Sequence, residues 1–306
     1  YESGRQDSNL RPSAPKAPDR DSEALGFQAI TYLLRIIARL VRTNYDLFVG
    51  NLSAIYFFIM GDMMEKLMDQ DIFRKALEDA IKGKSANQAP FSKAWATGKL
   101  QKKHFARWAE NHYHYVGPFA DYLGYVYSNM PEEFTDAKDF LLQNMYEEEI
   151  GGDRHTDLLI RFAESCGTTR ERIKNPDNMS PTTRGLQAWC YNVAMRENPI
   201  VAVAGLVVGL ESQVPSIYRK QTPVLREKYG FSDEEVEFFD LHIVSDEIHG
   251  ERGFQIVLEH ANTVELQKKC LKICEIGAEM RLLYTTALFN DYVKNDLSLE
   301  ELETAA

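Results

Sequence analysis

The sequence has no excess of positive charge. Its 35 lysine and arginine residues are outnumbered by 46 aspartate and glutamate residues, and the net charge is −11 at pH 7. A protein that holds nucleic acid or an anionic membrane surface by charge needs a basic face. The composition therefore predicts a chain that binds neither nucleic acid nor membrane.

Cysteine is scarce as well. There are four cysteines, none of them in a CxxC pair: Cys166, Cys190, Cys270 and Cys274. The last two are four residues apart in a helical pattern, which favours buried thiols over zinc ligands. A chain without disulfide or zinc spacing is typical of a reducing compartment, so we predict a cytoplasmic location.

Runs of alternating apolar residues bounded by turn pairs, the signal for strands, are also missing. Apolar residues instead recur at helical spacing, and they make up an ordinary 44% of the chain. The pattern predicts an all-α bundle of about seven helices with breaks or kinks near Pro215 and Pro223. The expected helices are Met64–Lys82, Lys102–Asn129, Pro131–Ser165, Arg184–Arg196, Pro199–Tyr229, Glu235–His260 and Thr263–Lys294.

The first 62 residues differ from the rest. Tyr1–Ser22 is polar and lacks apolar periodicity, which predicts disorder. Two apolar patches follow, Ile30–Val41 and Leu47–Met60, and the second is shorter than the ~20 residues of a membrane span. A helical hairpin, an unphysiological stretch or a signal anchor are the alternatives for these patches. We expect residues 1–62 to be an extension before a natural start at Met63 or Met64, and residues 63–300 to be the functional domain.

One predicted helix carries an unusual set of polar residues. Ser232 and Glu235 have the spacing of a capping box, which indicates a helix start. On the helix that follows, His242, Asp246 and His249 project from one face. Two imidazoles and a carboxylate are a ligand set for iron, zinc or manganese, and a solvated polar face is the alternative.

Two other predicted helices carry further donors. Glu148 and His155 are seven residues apart on one face, although Gly151-Gly152 between them weakens the helix and suggests a local distortion. An exposed charged face is the alternative there. Glu211 ends an all-apolar, buried run, where its carboxylate needs either a metal or a salt bridge to Arg184 or Arg219.

Together these helices supply three carboxylates and three imidazoles. One metal ion rarely takes six such ligands, but two irons bridged by carboxylates can share them inside a helical bundle. The predicted ligands, and through the metals the predicted catalytic residues, are Glu148, His155, Glu211, His242, Asp246 and His249. We choose Glu148 as the bridging carboxylate.

This arrangement resembles a known family. The order Glu-x6-His, a lone Glu, and His-x3-Asp-x2-His is similar to the haem-oxygenase-like di-iron oxidases and oxygenases, including the p-aminobenzoate-forming enzymes found in chlamydiae. The likeness covers roughly residues 91–258 and includes Phe91-x3-Trp95, Glu211-Ser-Gln-Val-Pro and Tyr229-Gly-Phe231. The resemblance implies a haem-oxygenase-like bundle of about seven helices, a homodimer, and two irons (or a manganese–iron pair) that activate O2.

Departures from the family pattern bear on the substrate. The p-aminobenzoate enzymes consume a tyrosine that follows the Phe of the Phe-x3-Trp element, and Ser92 occupies that position here. We therefore expect an external small substrate, such as a carboxylic, amino or aromatic acid, although Tyr113 or Tyr115 could replace the consumed tyrosine. The expected pocket residues are Trp108, His112, Tyr113 and Lys220, the last matching a family lysine.

The leading hypothesis is an O2-activating di-iron oxidase or oxygenase of a biosynthetic pathway, with an external electron donor as a possible partner. A metal-free oxidase or hydrolase of the same fold, like the pyrroloquinoline-quinone synthases or thiaminase II, is the second hypothesis. The third is a non-catalytic interaction protein.

Overall fold

Helices follow one another along all of the chain that the structure, a computed structural model, describes: residues 66–150 and 153–298. The predicted extension 1–62 lies outside these residues. The α-helices are α1 Gln70–Lys82, α2 Pro90–Ala96, α3 Lys102–Val116, α4 Phe119–Asn129, α5 Thr135–Glu149, α6 His155–Ser165, α7 Arg170–Lys174, α8 Pro181–Arg196, α9 Pro199–Val203, α10 Val214–Tyr229, α11 Asp233–His260 and α12 Val264–Tyr292. No strand occurs in either described range, so the all-α class is confirmed.

The helix starts follow local capping chemistry. The Asp69 side chain accepts a hydrogen bond from the Ile72 amide at the start of α1. Ser232 and Glu235 form the expected capping box at the start of α11, with both reciprocal bonds present. These bonds satisfy backbone amides that have no partner within the helix, which is why such helices begin where the sequence indicates.

Two predicted helices are each divided in the structure. The helix expected over 102–129 is two helices, because the chain turns at Gly117 and Pro118. The helix expected over 131–165 is also two, with α5 ending at Glu149 and α6 beginning at His155. Pro223 lies within α10 without ending it. Pro215 lies in the first turn of α10, where a proline removes no intrahelical hydrogen bond.

The segment between α9 and α10 is not regular α-helix. Ala204–Leu210 winds as a π-helix, and Glu211–Gln213 forms one 3-10 turn before α10 begins. Every residue of the π-helical segment is buried. Such segments are rare and recur at functional sites, because they change the direction in which the following side chains point.

This central run, Pro199–Tyr229, is long and apolar enough to cross a membrane, with a mean hydropathy of 1.7. However, 89% of its apolar window is buried inside the protein. A core helix meets the same criteria of length and composition. The run packs against α11 and α12, which enclose the π-helical segment.

An aromatic cluster fills the core beside this segment. The Trp95 ring contacts Trp108 edge to face with centroids 5.2 Å apart, and contacts Phe239 at 5.5 Å. Phe105 and Phe162 complete the cluster. Most aromatic residues of α3 therefore serve core packing, and the Phe-x3-Trp element of α2 is part of the same core.

Candidate metal centre

Two small glycines bring α11 against the π-helical segment. A Cβ atom on Gly250 would lie 3.1 Å from the Ser212 Cβ, and one on Gly253 would lie 2.6 Å from the Val207 Cγ1. Because larger residues do not fit there, the two backbones approach closely. This contact places the polar face of α11 beside Glu211.

The predicted donors meet at this contact in two groups. Ligand atoms of Glu148, His155 and His242 lie within 4.8 Å of one another, and so do those of Glu148, Glu211 and His249. Glu148 belongs to both groups. Five of the six predicted residues are thus brought together, with Glu148 between the two groups.

Asp246, the sixth predicted donor, lies at the edge of the second group. Its Oδ1 atom is 3.8 Å from the His249 Nδ1 atom, and its side chain lines the same cavity as Glu148 and Glu211. It is buried, with 2% exposure. Asp246 is therefore within the site, although it is not one of the five residues of the two close groups.

Glu148 and His155 meet in a different way from the one expected. They do not share one helix face: Glu148 is the second-last residue of α5 and His155 is the first residue of α6. The break between the helices lets the His155 Nδ1 atom approach the Glu148 Oε2 atom to 2.9 Å. The expected distortion at Gly151-Gly152 falls on residues outside the described ranges.

The salt bridge considered for Glu211 does not form. Arg219 pairs with Glu247, and Arg184 donates to the Pro176 carbonyl oxygen. The Glu211 Oε1 atom instead lies 2.8 Å from the His249 Nδ1 atom. Its other oxygen, Oε2, is buried without a hydrogen-bond partner in the described structure.

The charge balance at these residues favours a cation. Burial, together with the negative charges of Glu211 and Glu148, raises the pKa of Asp246 well above its usual value. Burial also opposes the charge of Glu148, but contact with His155 and the charges of the other histidines hold its pKa below the ordinary value. Two buried carboxylates, Glu211 and Asp246, and the half-buried Glu148 repel one another, and a bound cation relieves that repulsion.

The imidazoles differ in charge. Burial lowers the pKa of His242 to about 4, with Glu148 opposing the shift, so this ring is neutral at pH 7. Burial also acts to lower the pKa of His249, but the charges and hydrogen bonds of Glu211 and Glu147 together raise it to about 10. A metal that binds His249 must therefore displace a proton from it.

Outer contacts orient two of these rings. The His242 Nδ1 atom donates to the Phe238 carbonyl oxygen at 2.6 Å, which leaves Nε2 free to bind a metal. The His249 Nε2 atom lies 2.6 Å from the Glu147 Oε2 atom, which leaves Nδ1 on the side of Glu211. Metal-binding histidines in proteins are usually held by such partners on the other ring nitrogen. The unpartnered oxygen of Glu211, the crowded carboxylates and these fixed rings all fit a carboxylate-bridged metal pair.

A cavity with an empty volume of about 400 Å³ opens beside the donors. Its wall is mixed: it holds aromatic and apolar side chains together with three carboxylates, two histidines and one arginine. The lining residues are His112, Tyr115, Val116, Phe119, Glu148, Glu211, Val214, Tyr218, Phe238, His242, Asp246 and Arg281.

The predicted pocket residues are only partly correct. His112 lines the cavity, and Trp108 stacks on the His112 ring with centroids 4.3 Å apart. Tyr113 is not among the cavity residues, whereas Tyr115 is. Lys220 is exposed and lies near Asn87 in a separate surface depression, which Ser92 also lines. Lys220 follows the cavity residue Tyr218 by two positions, so on a helix its side chain faces away from the cavity.

His112 and its partners form a polar group behind the donors. Its Nδ1 atom lies 3.3 Å from the Tyr284 hydroxyl, and its Nε2 atom lies 3.4 Å from the Tyr218 hydroxyl. Burial, with the charges of Arg281 and His242, lowers the pKa of His112 well below its usual value. The neutral ring can therefore accept one hydrogen bond and donate the other. His114, two residues on, faces away and approaches the Asn175 carbonyl oxygen.

Sequence reasoning missed several residues of the site. Glu147 gave no signal of its own, since it lies in a run of three glutamates. Asn144, whose Nδ2 atom is 3.5 Å from the Glu211 Oε1 atom, is one helical turn before Glu148. Arg281 did leave a signal: it falls on the apolar, buried stripe of α12 with Ala278, Tyr284 and Leu288.

All four cysteines are free and buried. Burial raises the pKa of Cys166 and of Cys270 to about 12. None of the four lines the cavity. A buried, protonated thiol away from the cavity is not an activated nucleophile.

Another group of donors lies at the surface. Ligand atoms of Asp136, Glu259 and His260 come within 4.8 Å of one another, but the two carboxylate residues are exposed. Exposed acidic clusters are common without a bound metal.

Comparison with known proteins places these features in context. A sequence profile of a family described as "Iron-containing redox enzyme" matches residues 106–282, which is more than half of the chain and includes all six predicted donors. A "4-aminobenzoate synthase" from Nitrosomonas europaea is 28% identical over 247 residues, covering 78% of this chain and 99% of the relative. This relative bears out the likeness to the p-aminobenzoate-forming enzymes.

Solved structures share the fold. A TenA homolog from Pseudomonas syringae aligns with a TM-score of 0.64 and 14% identity, covering 74% of this chain and 97% of the other. A domain with a heme oxygenase-like fold from Shewanella denitrificans aligns with a TM-score of 0.62 and 18% identity, covering 77% and 98%. At these identities the likeness establishes the haem-oxygenase-like fold alone.

Proposed function

Because this chain belongs to the iron-containing redox enzyme family, we propose that it is a non-haem di-iron oxidase or oxygenase acting on a small organic substrate. The observation that carries the proposal is the pair of three-donor groups that share Glu148. A carboxylate between two metal sites is the feature that separates a two-metal centre from two unrelated single sites. The mixture of oxygen and nitrogen donors suits iron or manganese.

His155 and His242 would hold one metal ion, and Glu211, Asp246 and His249 would hold the other, with Glu148 available to both. Bound iron would supply the activation of O2 and the redox electrons of the reaction. The remaining tasks belong to the chain. The Phe238 carbonyl and Glu147 hold the rings of His242 and His249 in place.

The cavity would hold the substrate. Its apolar wall, which includes Phe119, Val214 and Phe238, excludes water and strengthens the electrostatic interactions of the buried donors. His112, neutral and bonded to Tyr218 and Tyr284, can hold or pass a proton at the cavity wall. These contacts support an oxidation carried out away from bulk water.

The substrate is proposed to come from outside the protein. Ser92 occupies the position at which the family resemblance places a consumed tyrosine, and Ser92 does not line the cavity. The 4-aminobenzoate synthase relative makes a biosynthetic role the favoured context. A homodimer, an external electron donor and a cytoplasmic location are further predictions that accompany this proposal.

The first test is metal content. After anaerobic incubation with ferrous iron and removal of excess metal, we expect about two irons per chain in the wild-type protein, with O2 uptake on mixing. Glu148→Ala removes the carboxylate that both groups share, so both irons should be lost. Iron is measured by a colorimetric chelator assay and O2 by an electrode.

A matched control separates the buried centre from the surface cluster. His260→Ala removes one donor from the surface group of Asp136, Glu259 and His260 and should leave two irons bound. Two irons retained by Glu148→Ala, or lost on His260→Ala, would contradict the assignment. A wild-type protein that takes up no iron would favour the metal-free oxidase or hydrolase, or the interaction protein.

A further inference from the structure

Arg281 is a buried cation that forms no direct ion pair with any residue of the described chain. Its side chain is 5% exposed and lines the cavity from α12. Its Nη1 atom donates to the Leu210 carbonyl oxygen at 2.8 Å. No aspartate or glutamate in the described part of the chain forms an ion pair with it, although Asp246 lines the same cavity.

Burial of the Arg281 guanidinium is unfavourable unless other groups compensate for its lost hydration. A guanidinium carries five N–H donors and stays protonated, so it cannot escape burial by losing its charge. Removing it from water has a large cost. The Leu210 carbonyl oxygen, the Tyr218 hydroxyl and the charge of Asp246 across the cavity offset that cost only in part. An arginine kept at such a position points to a ligand that is absent from the protein alone.

The charge of the metal-loaded site, which rests on the proposed function, indicates the sign of the ligand's charge. Two divalent metal ions would more than neutralise the three carboxylates Glu148, Glu211 and Asp246, and Arg281 would add a further positive charge. The cavity beside a filled metal centre would then attract an anion.

The apolar residues of the cavity wall indicate the chemistry of the rest of the ligand. Val116, Phe119, Val214 and Phe238 present apolar surface, and Tyr115 and Tyr218 present aromatic rings. An inorganic anion would leave this surface without a partner. An organic acid with a compact apolar or aromatic body would cover it.

We propose that Arg281 binds the carboxylate group of the substrate, a small organic acid whose apolar body lies against the wall formed by Val116, Phe119, Val214 and Phe238. Arginine suits this role because its planar fork can donate two parallel hydrogen bonds to one carboxylate. The bond to the Leu210 carbonyl holds the fork in place at the end of the π-helical segment. Specificity for an acid over its neutral analogue follows from this single residue.

The competing role for Arg281 is structural: it could simply satisfy the Leu210 carbonyl. Arg281→Gln tests the two roles, because glutamine keeps an N–H donor and loses the charge. The probes are monocarboxylates from acetate to benzoate and the corresponding amides, titrated by calorimetry into anaerobic, ferrous protein. We expect wild-type protein to bind benzoate, and Arg281→Gln to weaken benzoate binding at least tenfold while changing benzamide binding less than twofold.

Arg219→Gln is the matched control, since it removes the same charge from an exposed arginine that pairs with Glu247. It should leave all dissociation constants unchanged. Equal losses for benzoate and benzamide in Arg281→Gln, or no loss for either, would overturn the proposal, as would a wild-type protein that binds no member of the acid series. Iron content is measured on each protein, so failure of the metal assignment is seen separately: iron is then absent from the wild type itself.

Discussion

Among single residues, Glu148 has the most consequential position, because both groups of metal donors include it. Its neighbour Glu147 has a different task. The Glu147 Oε2 atom lies 2.6 Å from the His249 Nε2 atom, on the side of the ring away from Glu211. A carboxylate there fixes the ring's orientation and makes the other nitrogen a better ligand. Glu148 is thus a donor shared by both groups, whereas the adjacent Glu147 orients the ring of another donor, His249.

This contact predicts the effect of Glu147→Gln. Glutamine keeps the shape of the side chain but loses the negative charge that holds the His249 ring. We expect iron affinity to fall by about tenfold or more, within the range usual for loss of such a partner, while iron per chain at saturation stays unchanged. Affinity is measured by competition with a ferrous chelator.

Glu149→Gln is the control for that measurement. Glu149 lies in the same run and pairs with Arg154 at the surface rather than with a donor. Its substitution should not alter iron affinity. Equal affinities of Glu147→Gln and the wild type would show that Glu147 does not position His249.

Among the elements, the contact between α11 and the π-helical segment is the one that assembles the site. The long helix supplies His242, Asp246 and His249, and the segment leads directly into Glu211. The close approach depends on Gly250 and Gly253, where added Cβ atoms would meet Ser212 and Val207. A change in this packing therefore changes both stability and the metal centre.

Gly253→Ala should destabilise the protein, although alanine is the better helix former by about 1 kcal/mol. The new Cβ atom would lie 2.6 Å from the buried Val207 Cγ1 atom, so one of the two elements has to move. We expect the free energy of unfolding to fall by about 1–3 kcal/mol, the usual cost of overpacking. Denaturant unfolding of the metal-free protein measures it.

Gly185→Ala provides the comparison. Gly185 lies in α8 with no atom within 4 Å of an added Cβ, so this change should stabilise the protein by about 0.5–1 kcal/mol. We expect the free energy of unfolding to fall in Gly253→Ala and to rise in Gly185→Ala. If Gly253→Ala were as stable as Gly185→Ala, the close approach of α11 to the π-helical segment would be refuted.

At the scale of the whole molecule, buried ion pairs make stability depend on pH away from the metal centre. Glu110 on α3 is 2% exposed and accepts hydrogen bonds from Thr168 at 2.5 Å, Arg172 at 3.0 Å and Arg107 at 2.7 Å. Burial opposes its charge, but these partners hold the pKa of Glu110 below its usual value of 4.5. The carboxylate thereby ties α7 to α3.

A lowered pKa in the folded state means that the stabilisation is present above the unfolded pKa and is lost as the pH falls through the folded pKa. We therefore expect Glu110→Gln to lower the free energy of unfolding by about 1–2 kcal/mol at pH 7. The difference from the wild type should shrink below about pH 4.5. Denaturant unfolding from pH 7 to pH 3 gives both curves.

Glu164→Gln, at an exposed glutamate of α6, is the control and should follow the wild-type curve throughout. A difference between Glu110→Gln and the wild type that persists unchanged to the lowest pH would contradict the prediction. In that case shape rather than charge would account for the effect of Glu110.

Much of the fold could be predicted from the sequence, because its signals are local. Helical spacing, the absence of strand patterns and the capping box at Ser232 each depend on residues within a few positions of one another. The same locality identified His242, Asp246 and His249, since side chains at i, i+4 and i+7 share a helix face. Glu148 and His155 were chosen by the same spacing, although they lie on two different helices. It also identified Glu211 as a buried carboxylate, because the run before it is apolar on every side.

The grouping of the donors and the lining of the cavity depend instead on contacts between residues far apart in the chain. Glu148, Glu211 and His249 meet only because the glycines of α11 admit the π-helical segment, and no local pattern encodes that approach. The same packing leaves Lys220 at the surface and brings Arg281, 70 positions after Glu211, to the cavity. The sequence by itself therefore determined the fold class and the candidate donors. The tertiary structure decided which donors lie close enough to share a metal position and which cation faces the cavity. The reason is that distances across a bundle depend on the packing of whole helices.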